Sequence, residues 1–113
     1  MQVEENNGTL FVQATLKVLG GKWKLLILWH LKDGAKRYGE LKRLIPEITE
    51  KMLIQQLREL ENDKIVERKI ISKIPLKVEY SFTHYGRTLI PILKPLCDWG
   101  QEHLKRISSA EEK

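Results

Sequence analysis

The 113-residue chain carries one cysteine, Cys97, which excludes an internal disulfide and a cysteine-based zinc site. A reducing cytoplasm is the simplest setting for such a chain. No window approaches the roughly 18 uninterrupted apolar residues of a membrane span. The start, "MQVEENNGTLFV", is acidic and polar, so no secretory signal is expected. His30, His84 and His103 are scattered, none three or four residues from another, and no metal site is expected. Gly20-Gly21 lacks the spacing of a phosphate-binding loop. Ser72, Ser81, Ser108 and Ser109 lack a nucleophile-elbow context. Neither an enzyme nor a cofactor is indicated.

Acidic charge is scarce where basic charge is dense. Between Lys17 and Lys77 there are 15 Lys/Arg against 8 Asp/Glu, a balance of +7, and the rest of the chain supplies −2. A basic centre between near-neutral ends suits a polyanion partner, although ordinary surface lysine gives the same totals. One domain is expected from the length, with 42% apolar residues to fill a modest core. No repeat, low-complexity tract or linker divides the chain. Residues 1–9 and 108–113 read as disordered tails around a single domain at 10–107.

The periodicity predicts helices over Leu10–Leu19, Lys22–Gly34, Tyr38–Ile45 and Thr49–Asn62, the third ending before Pro46. Two apolar-rich arms then form a hairpin across 68–82. Val78, Tyr80 and Phe82 alternate with polar residues, whereas the adjacent Ile70 and Ile71 spoil the alternation of the first arm. Lys73 and Lys77 crowd the tip with no acid between them. Thr83 reads as the cap of a long final helix, bent at Pro91 and Pro95.

On a helical wheel of 49–62, Leu53, Leu57 and Leu60 share a narrow arc, which should be buried. Lys51, Gln55, Arg58 and Asn62 fall opposite, with Ile54 on the flank. An ammonium, a carboxamide and a guanidinium one turn apart match the major groove, where Arg or Lys pairs with guanine and Gln with adenine. Taken alone this reads more simply as a solvated face. A short helix, a tight turn at Ile45-Pro46-Glu47 and a donor-rich second helix make the helix-turn-helix pattern, and a basic hairpin directly afterwards reads as its wing.

The chain resembles the HxlR-type transcriptional regulators, a branch of the MarR-like winged-helix proteins. The resemblance rests on "GGKWKLLIL" (20–28), "RYGELKRLIPEIT" (37–49), "KMLIQQLRELENDKIVER" (51–68), "VEYSFTHYGRTL" (78–89) and "LCDW" (96–99), in family order across about residues 10 to 107. It implies a mainly α, α+β winged helix-turn-helix with a two-stranded hairpin wing and long terminal helices that pair protomers. The function implied is a homodimeric bacterial or archaeal repressor or activator on double-stranded DNA. The alternative is a winged-helix module that docks protein or RNA without reading DNA sequence.

Base reading is expected from Thr49, Glu50, Lys51, Ile54, Gln55 and Arg58. Phosphate contacts are expected from Arg37, Tyr38, Lys42, Lys73 and Lys77. The final helix carries more apolar residues than one core-facing stripe needs. The dimer interface is therefore expected at Leu10, Phe11, Leu16, Leu93, Leu96, Cys97, Trp99 and Leu104. Many family members place a sensing cysteine near the start of the first helix. Here Leu10-Phe11 stands there, so the resemblance implies either a small-molecule effector or none. Cys97 reads as a buried small hydrophobe, and Trp23, Trp29 and Trp99 as core and interface filling rather than a ligand pocket.

Overall fold

A computed structural model describes residues 7–111, with the side chain of Glu111 outside the description. The expected tails at 1–6 and 112–113 lie outside the described residues. Helix α1 spans Gly8–Leu19, so residues 8 and 9 are helical rather than tail. Its first turn is capped by Asn7, whose side chain accepts from the Leu10 N–H at 3.1 Å. It stops at Gly20, where a Cβ would lie 2.4 Å from the Leu16 carbonyl oxygen. Gly21 follows at φ 93°, a conformation that favours glycine. That turn delays helix α2, which spans Lys24–Leu31, two residues later than the periodicity predicts.

Strand β1 is the two-residue Lys36–Arg37, and α3 spans Tyr38–Leu44. The Arg37 N–H donates to Glu40 Oε1 at 3.0 Å, closing the first turn of α3. Helix α4 covers Glu50–Asn62, with Thr49 Oγ1 accepting from the Met52 N–H at 3.1 Å. Strands β2 (Val66–Lys73) and β3 (Leu76–Phe82) form the hairpin. The sheet has three antiparallel strands in the order β1-β3-β2, not the two expected. Two residues ahead of α3 carried too little pattern to be read as a strand. Ile70 pairs with Val78 and Ser72 with Lys77, leaving Ile71 as the extra residue of a bulge. The adjacent isoleucines that broke the alternation mark that bulge.

Tyr85 precedes a 3-10 turn at Gly86–Leu89, and Thr83 braces that turn instead of capping the long helix. Its hydroxyl donates to the Lys64 carbonyl and accepts from the Gly86 N–H at 2.8 Å. A Cβ on Gly86 would come within 2.0 Å of the Ile65 carbonyl oxygen, so only glycine allows the turn to close on that strand entry. Helix α5 then runs from Ile90 to Glu111, making residues 108–111 helical where a tail was expected. Pro91 occupies its first turn, where a missing N–H costs nothing, and Pro95 alone lies inside.

One core lies between α2, α3, α4 and the sheet. Ile27, Leu28 and Leu31 meet Leu41, Ile45 and Ile48, the three leucines of α4, and Val66 and Phe82. Helix α1 buries none of its residues and α5 buries Leu93, while Val18, Leu19 and Ile90 pack partly against the core. The body of the fold is thus complete without most of its two terminal helices.

Candidate nucleic-acid interface

Burial of Leu53, Leu57 and Leu60 sets the rotation of α4 about its axis. Each fully buried leucine contributes about 1.5–3 kcal/mol, so turning the helix to hide its polar side would cost several such terms. Lys51, Ile54, Gln55, Arg58 and Asn62 are exposed on the opposite side, as are Thr49 and Glu50 at the N-terminus. The expected base-reading residues therefore share one accessible surface.

The helix is also held by an ion pair that the wheel does not reveal. Lys24 is only 5% exposed, and its Nζ donates to Glu59 Oε1 at 3.0 Å, tying the start of α2 to α4. Gln56 Nε2 donates to the other Glu59 oxygen at 3.4 Å, which orients the carboxylate. A lysine in an otherwise apolar helical run was the available signal; nothing local named Glu59 as its partner. In front of α4, the Lys42 ammonium donates to the Pro46 carbonyl at 3.2 Å and steadies the turn between α3 and α4.

The expected phosphate-contacting residues divide. Arg37 is exposed in β1 opposite Glu79, at the base of the wing. Lys73 is exposed beside the hairpin tip and Lys77 is half-buried. Tyr38 departs from expectation: its hydroxyl is buried and has no hydrogen-bond partner among the described residues, so it does not present a donor to a phosphate. Desolvation pushes the Tyr38 phenol above its ordinary range, and the Glu50 carboxylate and Tyr80 add to the shift. The tip itself is apolar, with Ile74 94% exposed between the two lysines.

Between the outer flank of α4 and the sheet lies an open cleft of about 540 Å³. Tyr38, Ile54, Arg58, Glu61, Asn62, Arg68 and Tyr80 line it. Arg68 Nε stands 3.9 Å from Glu61 Oε1, a loose ion pair spanning the cleft from β2 to α4. The Tyr80 phenol is raised chiefly by burial and further by Glu61, while Arg68 and Arg58 oppose the shift. Arg68 was absent from the expected set because it precedes the conspicuous lysines of the tip. Only the pairing of β2 with β3 carries it across from α4.

Leu10, Phe11, Leu16, Leu96, Cys97, Trp99 and Leu104, expected at the dimer interface, are exposed along α1 and α5. Leu93 is corrected: at 4% exposure it belongs to the core of its own chain. One helical turn later the same stripe leaves the body, so periodicity alone could not separate the two roles. Cys97 is exposed rather than buried. Trp23 and Trp29 pack partly against the core, but Trp99 is 69% exposed and stacks on His103 with ring centroids 5.0 Å apart. Among the described residues no helix is long and apolar enough to cross a membrane.

A family model described as HxlR-like helix-turn-helix matches residues 18–108. The chain is 52% identical over 105 residues to the uncharacterised HTH-type transcriptional regulator YtcD of Bacillus subtilis, covering 93% of this chain and 83% of that protein. An uncharacterised HTH-type transcriptional regulator of the archaeon Methanothermobacter thermautotrophicus is 42% identical over 102 residues, covering 90% of this chain and 78% of that one. Among solved structures, the redox regulator HypR in its reduced form superposes with a TM-score of 0.80 at 48% identity, covering 87% of this chain and 97% of that one. A crystal structure of ytcD gives 0.79 at 55% identity, covering 83% and 96%.

Proposed function

The chain belongs to the HxlR-like helix-turn-helix family of transcriptional regulators, and from that premise we propose that it binds DNA sequence-specifically, as a homodimer, on a pseudo-palindromic operator. The observation that carries this reading is the face of α4: Lys51, Gln55 and Arg58 project from it while Leu53, Leu57 and Leu60 are buried beneath. The fixed rotation of the helix directs these side chains at base edges, and each gives up its rotamer freedom only on contact. Gln55 offers the paired donor and acceptor that adenine requires, and Arg58 the fork that matches guanine. Thr49 and Glu50 sit at the end of the helix that enters the groove, where Glu50 can accept from a cytosine amino group. Arg37, Lys42, Lys73 and Lys77 carry the sequence-independent share of affinity.

Exposed apolar residues on α1 and α5 support the dimer, because Leu16, Leu96, Trp99 and Leu104 stay largely uncovered among the described residues. A two-fold axis through these helices places two copies of α4 one turn of duplex apart, about 34 Å, and a symmetric operator follows. The resemblance leaves the effector as a small molecule or none, and no effector enters the mechanism. HypR is a redox regulator; here the single thiol is Cys97 on α5, and no redox step enters the mechanism either.

Selection from a random duplex pool, followed by titration at fixed salt, tests the reading. The expected result is an inverted repeat bound roughly 10³-fold or more above random duplex. Enrichment of no motif, with equal retention of every duplex or of RNA, would move the protein to the docking-module alternative.

A further inference from the structure

We infer that the cleft between α4 and the sheet seats one strand of the duplex backbone, with Arg68 as a phosphate ligand and Glu61 as the carboxylate that a phosphate displaces. The inference rests on the DNA-binding reading and assigns a contact outside the reading helix and the wing tip. The cleft is open and lies directly between Arg58 and the hairpin. A strand whose bases meet α4 while its neighbouring phosphates meet the wing must pass over it. The guanidinium of Arg68 is already there, half-exposed and anchored on a strand. Its link to Glu61 is weak, a single approach at 3.9 Å with no ideal hydrogen bond. A phosphate oxygen accepts a shorter, charge-assisted bond from the same group, and Arg can make two such bonds at once.

Glu61 then acts in both states. Without DNA it holds Arg68 across the cleft and partly neutralises it. With DNA it still competes with the phosphate for the guanidinium, which lowers affinity for every sequence. Binding therefore exchanges one weak ion pair for a stronger one and leaves the carboxylate without its partner. Bases play no part in that exchange, so operator and random duplex should respond alike.

The test titrates wild type, Arg68→Ala, Glu61→Gln and the double variant with random duplex and with the selected operator at 50 and 200 mM salt. Circular dichroism melts verify that each variant is folded, and Arg68→Lys serves as the charge-preserving variant should Arg68→Ala melt early. One lost phosphate contact flattens the salt slope by about 0.9, so the affinity ratio of wild type to Arg68→Ala should shrink about 3.5-fold between the two salts. Glu61→Gln should bind both duplexes about 1.5- to 5-fold more tightly, the range spanned by a surface ion pair. That gain should disappear in the Arg68→Ala background. An unchanged slope for Arg68→Ala, or a Glu61→Gln gain that survives the loss of Arg68, overturns the inference. Wild type that binds no duplex at all sinks the functional reading instead, and the two failures are distinct.

Discussion

Glu59→Ala removes the carboxylate that stands 3.0 Å from the ammonium of Lys24, a lysine only 5% exposed. The two partners are unequally placed, since the Glu59 side chain is 42% exposed. Losing Glu59 leaves a cation in the interior beside α2, whereas losing Lys24 leaves a carboxylate that water already reaches. Breaking a fully buried pair from one side costs about 3–5 kcal/mol. Half-exposure of the carboxylate screens the attraction, so Glu59→Ala should cost about 2–3 kcal/mol. Lys24→Met keeps the apolar stem, removes the charge and should change stability by less than about 1 kcal/mol. In a chain of 113 residues each kcal/mol moves Tm by about 4 °C, so Glu59→Ala should melt about 8–12 °C lower and Lys24→Met within about 4 °C of wild type. Adding Lys24→Met to Glu59→Ala should recover most of the loss, because the stranded charge is gone. Melts must be run at one protein concentration, since the proposed dimerisation would make Tm concentration-dependent. Equal costs for the two single variants, or no recovery in the double variant, would refute the claim that the lysine is the buried member whose charge needs compensation.

Gln55→Ala and Arg58→Ala should each lose about 1–3 kcal/mol on the operator and relax preference at one base pair, which a repeated pool selection reads directly. Lys73→Ala and Lys77→Ala should weaken operator and random duplex alike and flatten the salt slope; a changed sequence logo would contradict a backbone role. Gly86→Ala should unfold the body or melt far below wild type, because its Cβ would meet the Ile65 carbonyl at 2.0 Å; a wild-type melt would show that the turn can move aside. Leu104→Glu, at a residue 67% exposed in the chain, should convert a micromolar dimer to monomer in sedimentation while leaving circular dichroism unchanged. A dimer that persists would place the interface elsewhere.

How legible each element was follows the range over which its signal acts. The rotation of α4 was readable because Leu53, Leu57 and Leu60 repeat on one helical face, and a buried face leaves no freedom for the other side. The bulge at Ile71 was half-readable: the sequence showed broken alternation, and only the strand register shows that an extra residue causes it. β1, the Lys24–Glu59 pair and the Arg68–Glu61 cleft were not readable. β1 and the Lys24–Glu59 pair join residues distant in the chain, Arg68 reaches Glu61 only through the turn from α4 into β2, and two residues of strand or one charged side chain carry no period. Leu93 failed for a different reason. It shares a stripe with Leu96, and where a helix leaves the body is decided by the partner surface rather than by the helix. Tyr38 follows the same logic, for a tyrosine at a helix start reads the same whether its hydroxyl faces water or the interior.

Those misreadings point to how the molecule divides its tasks. The core closes over α2, α3, α4 and the sheet, and α1 adds no buried residue to it. Along α5 the helix leaves the body after Leu93, and from 101 to 110 every residue is exposed. An isolated helix of this length is marginal in water, so the outer part of α5 needs a surface to lie against. In the proposed dimer that surface is a second copy, and the angle at which the two copies cross sets the distance between their α4 faces. Operator spacing is then a property of α1 and α5, whereas base identity belongs to α4 and overall affinity to the wing and the cleft. Changes on the terminal helices alter spacing or assembly without altering which bases are read. Changes on the outer face of α4 do the reverse, because Lys51, Gln55 and Arg58 lie opposite the leucines that join this helix to the core.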